Sequence, residues 1–358
     1  MASSSAPRAR RVDGVNGLSL HVLEAGEPTA PCVVLLHGFP ELAYSWRKIL
    51  APLADAGFYV LAPDQRGYGE TTGWDPRYDG DLGSFTLAHL ANDVLSLLRK
   101  LNVGQAHLAG HDFGSPVAGA CALLAPEKVR SVAFMSGPFG GAQPAVSRAS
   151  AGLHAQLAAL DPPRKHYQWY YSTREADRDM RQCPQGIHAF LRAYYHMKSA
   201  DWPGNKPFAL EGWNAEALAR LPRYYVMDLD KTMPQTVAPQ DPQSAPAWLT
   251  DEELKVYSDA FERTGFQGAL NWYRCSTGGQ SVASMQGAAG RRVVAPACYI
   301  AGRADWGIHQ KPGELERMRD KACADFRGIH LVEGAGHWVQ QEQPAAVARL
   351  LIDFFRSA

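Results

Sequence analysis

Along the first 138 residues, short apolar runs alternate with stretches of helical periodicity. LSLHVLEAG (18–26) reads as a strand ending in a glycine turn. PCVVLLHG (31–38) is a short, continuous, β-branched run, the pattern of a strand buried on both faces, and YVLAPDQ (59–65), AHLAGHD (106–112) and SVAFMSGP (131–138) repeat the theme. Leu87, Leu90, Ala91, Val94, Leu97, Leu98 and Leu101 follow i, i+3, i+4, i+7 spacing and predict a helix with one buried face. Such alternation predicts an α/β fold: a parallel sheet with helices on both sides.

The pattern changes near Phe139. Residues 139–278 carry no clear strand and are rich in aromatic, helical stretches such as HYQWYYSTREADRDM and GIHAFLRAYYHM. Within them MPQTVAPQDPQSAPAW (233–248) holds four prolines and is expected to be an extended surface loop. Strand signals return in ACYIAGRAD (297–305) and IHLVEGAGH (329–337). A last helix presents Val347, Leu350, Leu351, Phe354 and Phe355 on one face. The expected organisation is a leader over 1–14, a core formed by 15–138 and 279–358, and a helical cap over 139–278. An insertion at this point of a parallel sheet sits over the C-terminal strand ends, where open α/β sheets bind ligands.

Composition narrows the setting. The 358 residues carry 36 basic and 36 acidic side chains, so nothing points to a nucleic-acid or anionic-membrane partner. No run of about 18 apolar residues could span a bilayer. The start, MASSSAPRARRVDG, lacks the apolar segment of a secretory signal and is expected to be disordered. The six cysteines form no C-x-x-C pair, which fits reduced thiols in the cytoplasm and gives no zinc-site spacing.

The candidate chemistry centres on GHDFG (110–114). Its form, small-x-nucleophile-x-small, is that of a sharp strand-to-helix turn presenting one side chain at the top of a sheet, and that residue is Asp112. Asp305 and His337 each follow a predicted strand, giving the chain order nucleophile, acid, histidine. A histidine oriented by a carboxylate can act as a general base. HGFPE (37–41) stands where this architecture donates one backbone N–H to an oxyanion hole, which nominates the amides of Phe39 and Phe113; His37, Gly38 and Pro40 support that loop. Ser115 lies off the turn and is expected to be an ordinary first-turn residue.

An aspartate attacking an acyl group would form an anhydride. Attacking a saturated carbon, it forms an alkyl ester that activated water can cleave at its own carbonyl. Asp112 therefore points to displacement at carbon, with epoxides or alkyl halides as substrates. A halide leaves as an anion and favours N–H donors. An epoxide oxygen needs a proton, which a phenol of pKa about 10 can give. Candidate phenols lie in HYQWYY (166–171) and NWYR (271–274).

Taken in order, HGFPELAYSWR, DQRGYGETT, GHDFGS, WLTDEELKVYSDAFERTGFQGALNWYR and GAGHWVQQEQP make the chain resemble the soluble epoxide hydrolases of the α/β-hydrolase superfamily, from about residue 12 onward. The resemblance implies an α/β-hydrolase fold with a cap. It implies Asp112 as nucleophile, His337 as base, Asp305 as its orienting acid, and Tyr273 with Tyr167 as ring-opening acids. Tyr170 and Tyr171 compete with Tyr167 for that last place. Gln168, Trp272 and Trp338 are expected to line the pocket. The implied reaction converts a small apolar epoxide and water to a vicinal diol, in a monomer or homodimer, without cofactor or metal. Many relatives have Trp after the nucleophile, where this chain has Phe113. That counts against a haloalkane or haloacid dehalogenase, which remains an alternative, as does a non-catalytic ligand receptor of the same fold.

Overall fold

The structure is a computed structural model that describes residues 6–142 and 149–358. Eight strands form one sheet: β1 (Arg8–Val15), β2 (Leu18–Ala25), β3 (Cys32–Leu36), β4 (Tyr59–Pro63), β5 (Ala106–His111), β6 (Val129–Met135), β9 (Ala297–Gly302) and β10 (Phe326–Val332). Their order is β1-β2-β4-β3-β5-β6-β9-β10, and every pairing from β4 to β10 is parallel. β2 joins β4 antiparallel, and β1 joins β2 in the same way.

Alternation along β3 shows why these runs read as strands. Val33 and Leu35 pack under helices Arg47–Asp55 and Pro344–Arg356, whereas Val34 and Leu36 pack against helices Leu87–Lys100 and Gly114–Leu124. Both faces of the strand are covered, so no polar position is tolerated on it.

Three expectations are corrected. The stretch expected to be a disordered leader contains β1, paired from Arg8 to Val15 with β2; residues 1–5 of that stretch lie outside the described residues. Between β6 and β9 the chain is mostly helical, but β7 (Arg164–His166) and β8 (Val226–Asp228) form a small antiparallel sheet there. The proline-rich segment opens with a helix, Met233–Val237, rather than a loop. Pro234 sits in its first turn, where a missing N–H costs nothing, and Thr232 and Gln235 close a reciprocal capping box. Among the described residues, no helix is long and apolar enough to cross a membrane.

Candidate active site

The C-terminal ends of β3, β5 and β9 and the loop after β10 converge beneath the helical layer. Asp112 directly follows β5, with φ at 51°, a left-handed conformation that is costly for a residue with a side chain. The turn is held from both sides. The Asp112 N–H donates to the Met135 carbonyl at 3.1 Å, and a Cβ on Gly114 would collide with the Leu36 carbonyl oxygen. Helix Gly114–Leu124 begins at once, with Phe113 as its N-cap. The Phe113 amide is therefore among those a helix leaves without an intrahelical acceptor.

The Asp112 carboxylate has two neighbours. Oδ1 accepts the Phe39 N–H at 3.1 Å, and Oδ2 lies 3.4 Å from His337 Nε2. A Cβ on Gly38 would run into the Asp112 side chain, so only glycine lets this loop approach. Behind His337, Nδ1 lies 3.1 Å from Asp305 Oδ1, which also accepts the Gly307 N–H at 2.7 Å. An ionised carboxylate only accepts, so Nδ1 donates a proton to Asp305, and Nε2 is turned toward Asp112. His337 lies five residues beyond β10 and Asp305 three beyond β9; each sits on the loop after its strand rather than at the strand's last position. Burial pushes the Asp112 carboxyl up, but the hydrogen bond and charge of His337, then Lys198 and His111, hold it below the ordinary aspartate value. Burial acts likewise on Asp305 and is outweighed by His337 and the Gly307 N–H.

A cavity of about 540 Å³ opens in front of Asp112. Phe113, Pro116, Pro138 and Phe139 form its apolar wall, and its rim reaches the exposed Val282 and Lys311. Tyr167 and Tyr273 both line it, as does Gln168. The Tyr273 ring stands edge-on to Phe39 and Phe113, with centroids 5.5 and 4.8 Å away, and 5.9 Å from the Tyr167 ring. The Tyr167 hydroxyl contacts Gln310 Oε1 at 3.3 Å and accepts from Gln168 Nε2 at 3.2 Å. Burial, then the charge of Asp112, raise both phenols well above the usual tyrosine value, so both stay protonated donors at neutral pH. Tyr170 instead donates to Asp179, and Tyr171 packs behind Phe39; neither lines the cavity.

Trp272 and Trp338, expected at the pocket, are not among its lining residues. Each is buried with its indole N–H committed to a carbonyl, Trp272 to Arg66 and Trp338 to Tyr195, both at 2.9 Å. Helix period explains the first case: on Gln267–Thr277 the residue beside Tyr273 points away from the face that Tyr273 presents.

The loop that carries Phe39 rests on groups not singled out in the sequence. Glu41 is fully buried. It accepts His111 Nδ1 at 2.6 Å, the Gly38 N–H at 3.3 Å, and the side-chain amides of Gln340 and Gln341 at 2.9 and 2.8 Å. Burial raises the Glu41 carboxyl, but the charge and hydrogen bond of His111 bring it to about 2. For His111, burial is outweighed by Glu41, and its value is raised. The second His111 nitrogen meets the His337 carbonyl at 2.7 Å, so one buried pair supports both the Phe39 loop and the His337 loop. His37 completes the support: Nε2 accepts the Gln65 N–H at 3.1 Å, which leaves Nδ1 to donate to the Gly38 carbonyl at 2.9 Å. Ser115 donates to the Gly137 carbonyl. Among the described residues, no cluster of His, Cys, Asp or Glu could hold a metal ion.

Residues 31–344 match the alpha/beta hydrolase fold family. The chain is 34% identical to epoxide hydrolase A of Mycobacterium tuberculosis over 98% of this chain and 97% of that protein. Among solved structures, epoxide hydrolase A from Mycobacterium thermoresistibile superposes with a TM-score of 0.80 at 34% identity, covering 98% of each chain. Potato (Solanum tuberosum) epoxide hydrolase I superposes with a TM-score of 0.78 at 29% identity, covering 98% of this chain and 100% of that one. The chain belongs to the epoxide hydrolase family of the alpha/beta hydrolases.

Proposed function

We propose that the protein hydrolyses epoxides to vicinal diols through a covalent ester on Asp112. The observation that carries this reading is one cavity lined by a low-pKa carboxylate and two protonated phenols, with a histidine–carboxylate pair behind the carboxylate. In the first half-reaction an Asp112 oxygen attacks a ring carbon. The C–O bond breaks, and the alkoxide takes a proton from Tyr167 or Tyr273. In the second, His337 Nε2 takes a proton from water, whose oxygen attacks the ester carbonyl carbon. The N–H groups of Phe39 and Phe113 stabilise the tetrahedral oxyanion, and Asp305 holds the imidazolium. On collapse the departing diol oxygen takes the His337 proton; the second water proton, left on the Asp112 carboxyl, passes to the phenolate and restores both the Asp112 carboxylate and the tyrosine. Each step uses side chains of this protein and water. Residues 139–278 act in this reading as the cap over a core of 15–138 and 279–358. A cytoplasmic setting is supported by six buried cysteines, all free.

The two cavity tyrosines favour epoxide over halide, since a departing halide needs no proton. The test is a single turnover of styrene oxide with enzyme in excess in ¹⁸O-labelled water. Unlabelled first-turnover diol, with label entering Asp112, is expected. Diol labelled at once means direct attack by water and overturns the ester. No diol, with halide released from haloalkanes, moves the protein to the dehalogenase reading.

A further inference from the structure

We infer that Lys198 is a positioning residue of this site: its ammonium, held in a cage of aromatic rings, is the fixed counter-charge of the Asp112–His337–Asp305 set. The inference rests on the reaction proposed above. Lys198 is the last residue of helix Gly186–Lys198 and is buried. Its Nζ lies 5.2 Å from the Trp338 ring, 5.3 Å from Tyr225, 5.4 Å from Tyr194 and 5.9 Å from Tyr224. Among the described residues it makes neither a hydrogen bond nor an ion pair within 4.0 Å. Burying a lone ammonium opposes folding, so a core position that needed only packing would be better filled by methionine or leucine. Two features offset that cost. Four ring faces attract a cation. The buried carboxylates of Asp112, Asp305 and Glu41 oppose the effect of burial, which still draws the lysine below its ordinary value.

The backbone fixes where this charge stands. The Lys198 carbonyl accepts the His337 N–H at 2.8 Å. Trp338, a wall of the cage, is the next residue after His337 and is tied to Tyr195 on the same helix. Cation and histidine are thus mounted on one joint. The charge acts wherever negative charge gathers on Asp112: at rest, where Lys198 helps hold the carboxyl ionised, and in the tetrahedral intermediate, where an oxyanion forms on the same group. Alkylation removes that charge between the two stages. The other titratable groups facing this region are His111, Tyr68, Tyr167, Tyr194 and Tyr273 around Asp112, and Tyr224, Tyr225, Tyr299 and His309 around Asp305. None of these is a second cation of fixed charge.

The test compares Lys198→Met, of similar length without charge, with Lys198→Arg. Single-turnover alkylation of Asp112 is followed against pH. The acid limb is expected to move up by about one pH unit in K198M and to return in K198R. Hydrolysis of the ester at neutral pH is expected to slow by about 10-fold or more in K198M alone. An unmoved limb in K198M would overturn the inference, because a purely structural lysine lowers rates without shifting that limb. A second readout needs no turnover. The ¹³Cε resonance of Lys198 in the unreacted protein is expected to report an ammonium at pH 7, titrating about one unit lower in Asp112→Asn. A neutral amine at pH 7, or a titration indifferent to Asp112, overturns the inference whatever the protein does to epoxides. Failure of the wild type to form an ester instead refutes the proposed function.

Discussion

Replacing Glu41 by Gln removes one charge from a fully buried site and keeps its shape. Four donors converge on this carboxylate, the closest being His111 Nδ1 at 2.6 Å. The carboxyl is held at about 2 against an ordinary 4.5, a difference that corresponds to about 3 kcal/mol of folding stability. The direction follows from the sign of each shift. A depressed carboxyl stabilises the fold above its unfolded value and loses that effect as pH falls through its folded value. A raised histidine stabilises below its unfolded 6.5 and loses the effect as pH rises through its folded value. The pair is therefore fully expressed between about 4.5 and 6.5, and about half of the carboxyl contribution is gone near pH 3. Urea unfolding of wild type and E41Q, followed by tryptophan fluorescence, should differ by about 3 kcal/mol at pH 5.5 and by about half of that at pH 3. A difference below about 1 kcal/mol at pH 5.5, or one equal at the two pH values, would refute the charge-pair account and leave a neutral hydrogen-bond network in its place.

Other outcomes bear on the chemistry and the core. His337→Gln should accumulate a covalent adduct of one epoxide on the peptide containing Asp112, read by intact and tryptic mass spectrometry, while Asp112→Asn should give none; adduct in the Asn variant would move the nucleophile elsewhere. Tyr273→Phe and Tyr167→Phe should each lower kcat/KM for styrene oxide by roughly 10²- to 10⁴-fold. A loss under about threefold in either would remove that tyrosine from ring opening. Burial raises the thiols of Cys32 and Cys323 to about 12 and that of Cys275 to about 11. All six cysteines should therefore be silent to an aromatic disulfide reagent at pH 8 until urea is added, and rapid reaction of the native protein would contradict their burial.

Strands buried on both faces announced themselves, because every residue of β3 and β4 is buried and none is charged, and in β5 only His107 and His111 depart, each buried against a polar partner. β1 did not. Only Val12 and Val15 of its eight residues are buried, and its arginines face solvent as an edge strand's charges commonly do. β7 and β8, of three residues each, are too short for a period of two to show. The helix at Met233 was hidden by counting prolines without their positions: one in the first turn favours a helix that the same residue would break in the middle. At the site, Asp112, Asp305 and His337 follow a readable strand order. The Glu41 cluster does not, since His111, Gln340 and Gln341 lie 70, 299 and 300 residues away. Glu41 stands inside a stretch singled out for its backbone, and only the fold shows that its side chain holds that backbone in place. Trp272 and Trp338 stand beside Tyr273 and His337 in the chain, yet each indole is committed to a carbonyl behind the cavity, whereas Gln168 beside Tyr167 stays on its wall; chain adjacency alone does not decide the direction.

The joint between helix Gly186–Lys198 and the His337 loop bears on how molecules come and go. Four bonds pin the end of this helix and the residues just after it: Tyr195 hydroxyl to the Pro40 carbonyl of the Phe39 loop and, to the stretch His337–Glu342, Trp338 indole to the Tyr195 carbonyl, His337 N–H to the Lys198 carbonyl, and Ala200 N–H to Glu342. Swinging the helix outward would break all four, at about 1 kcal/mol each before any apolar surface is exposed, and would carry His337 away from Asp112. Traffic is therefore left to the standing mouth near Val282 and Lys311, where side-chain rotation on the picosecond-to-nanosecond scale suffices. A disulfide stapling the helix to the loop would then leave steady-state turnover unchanged, while bulk added at the mouth would slow entry and exit without altering the chemical steps.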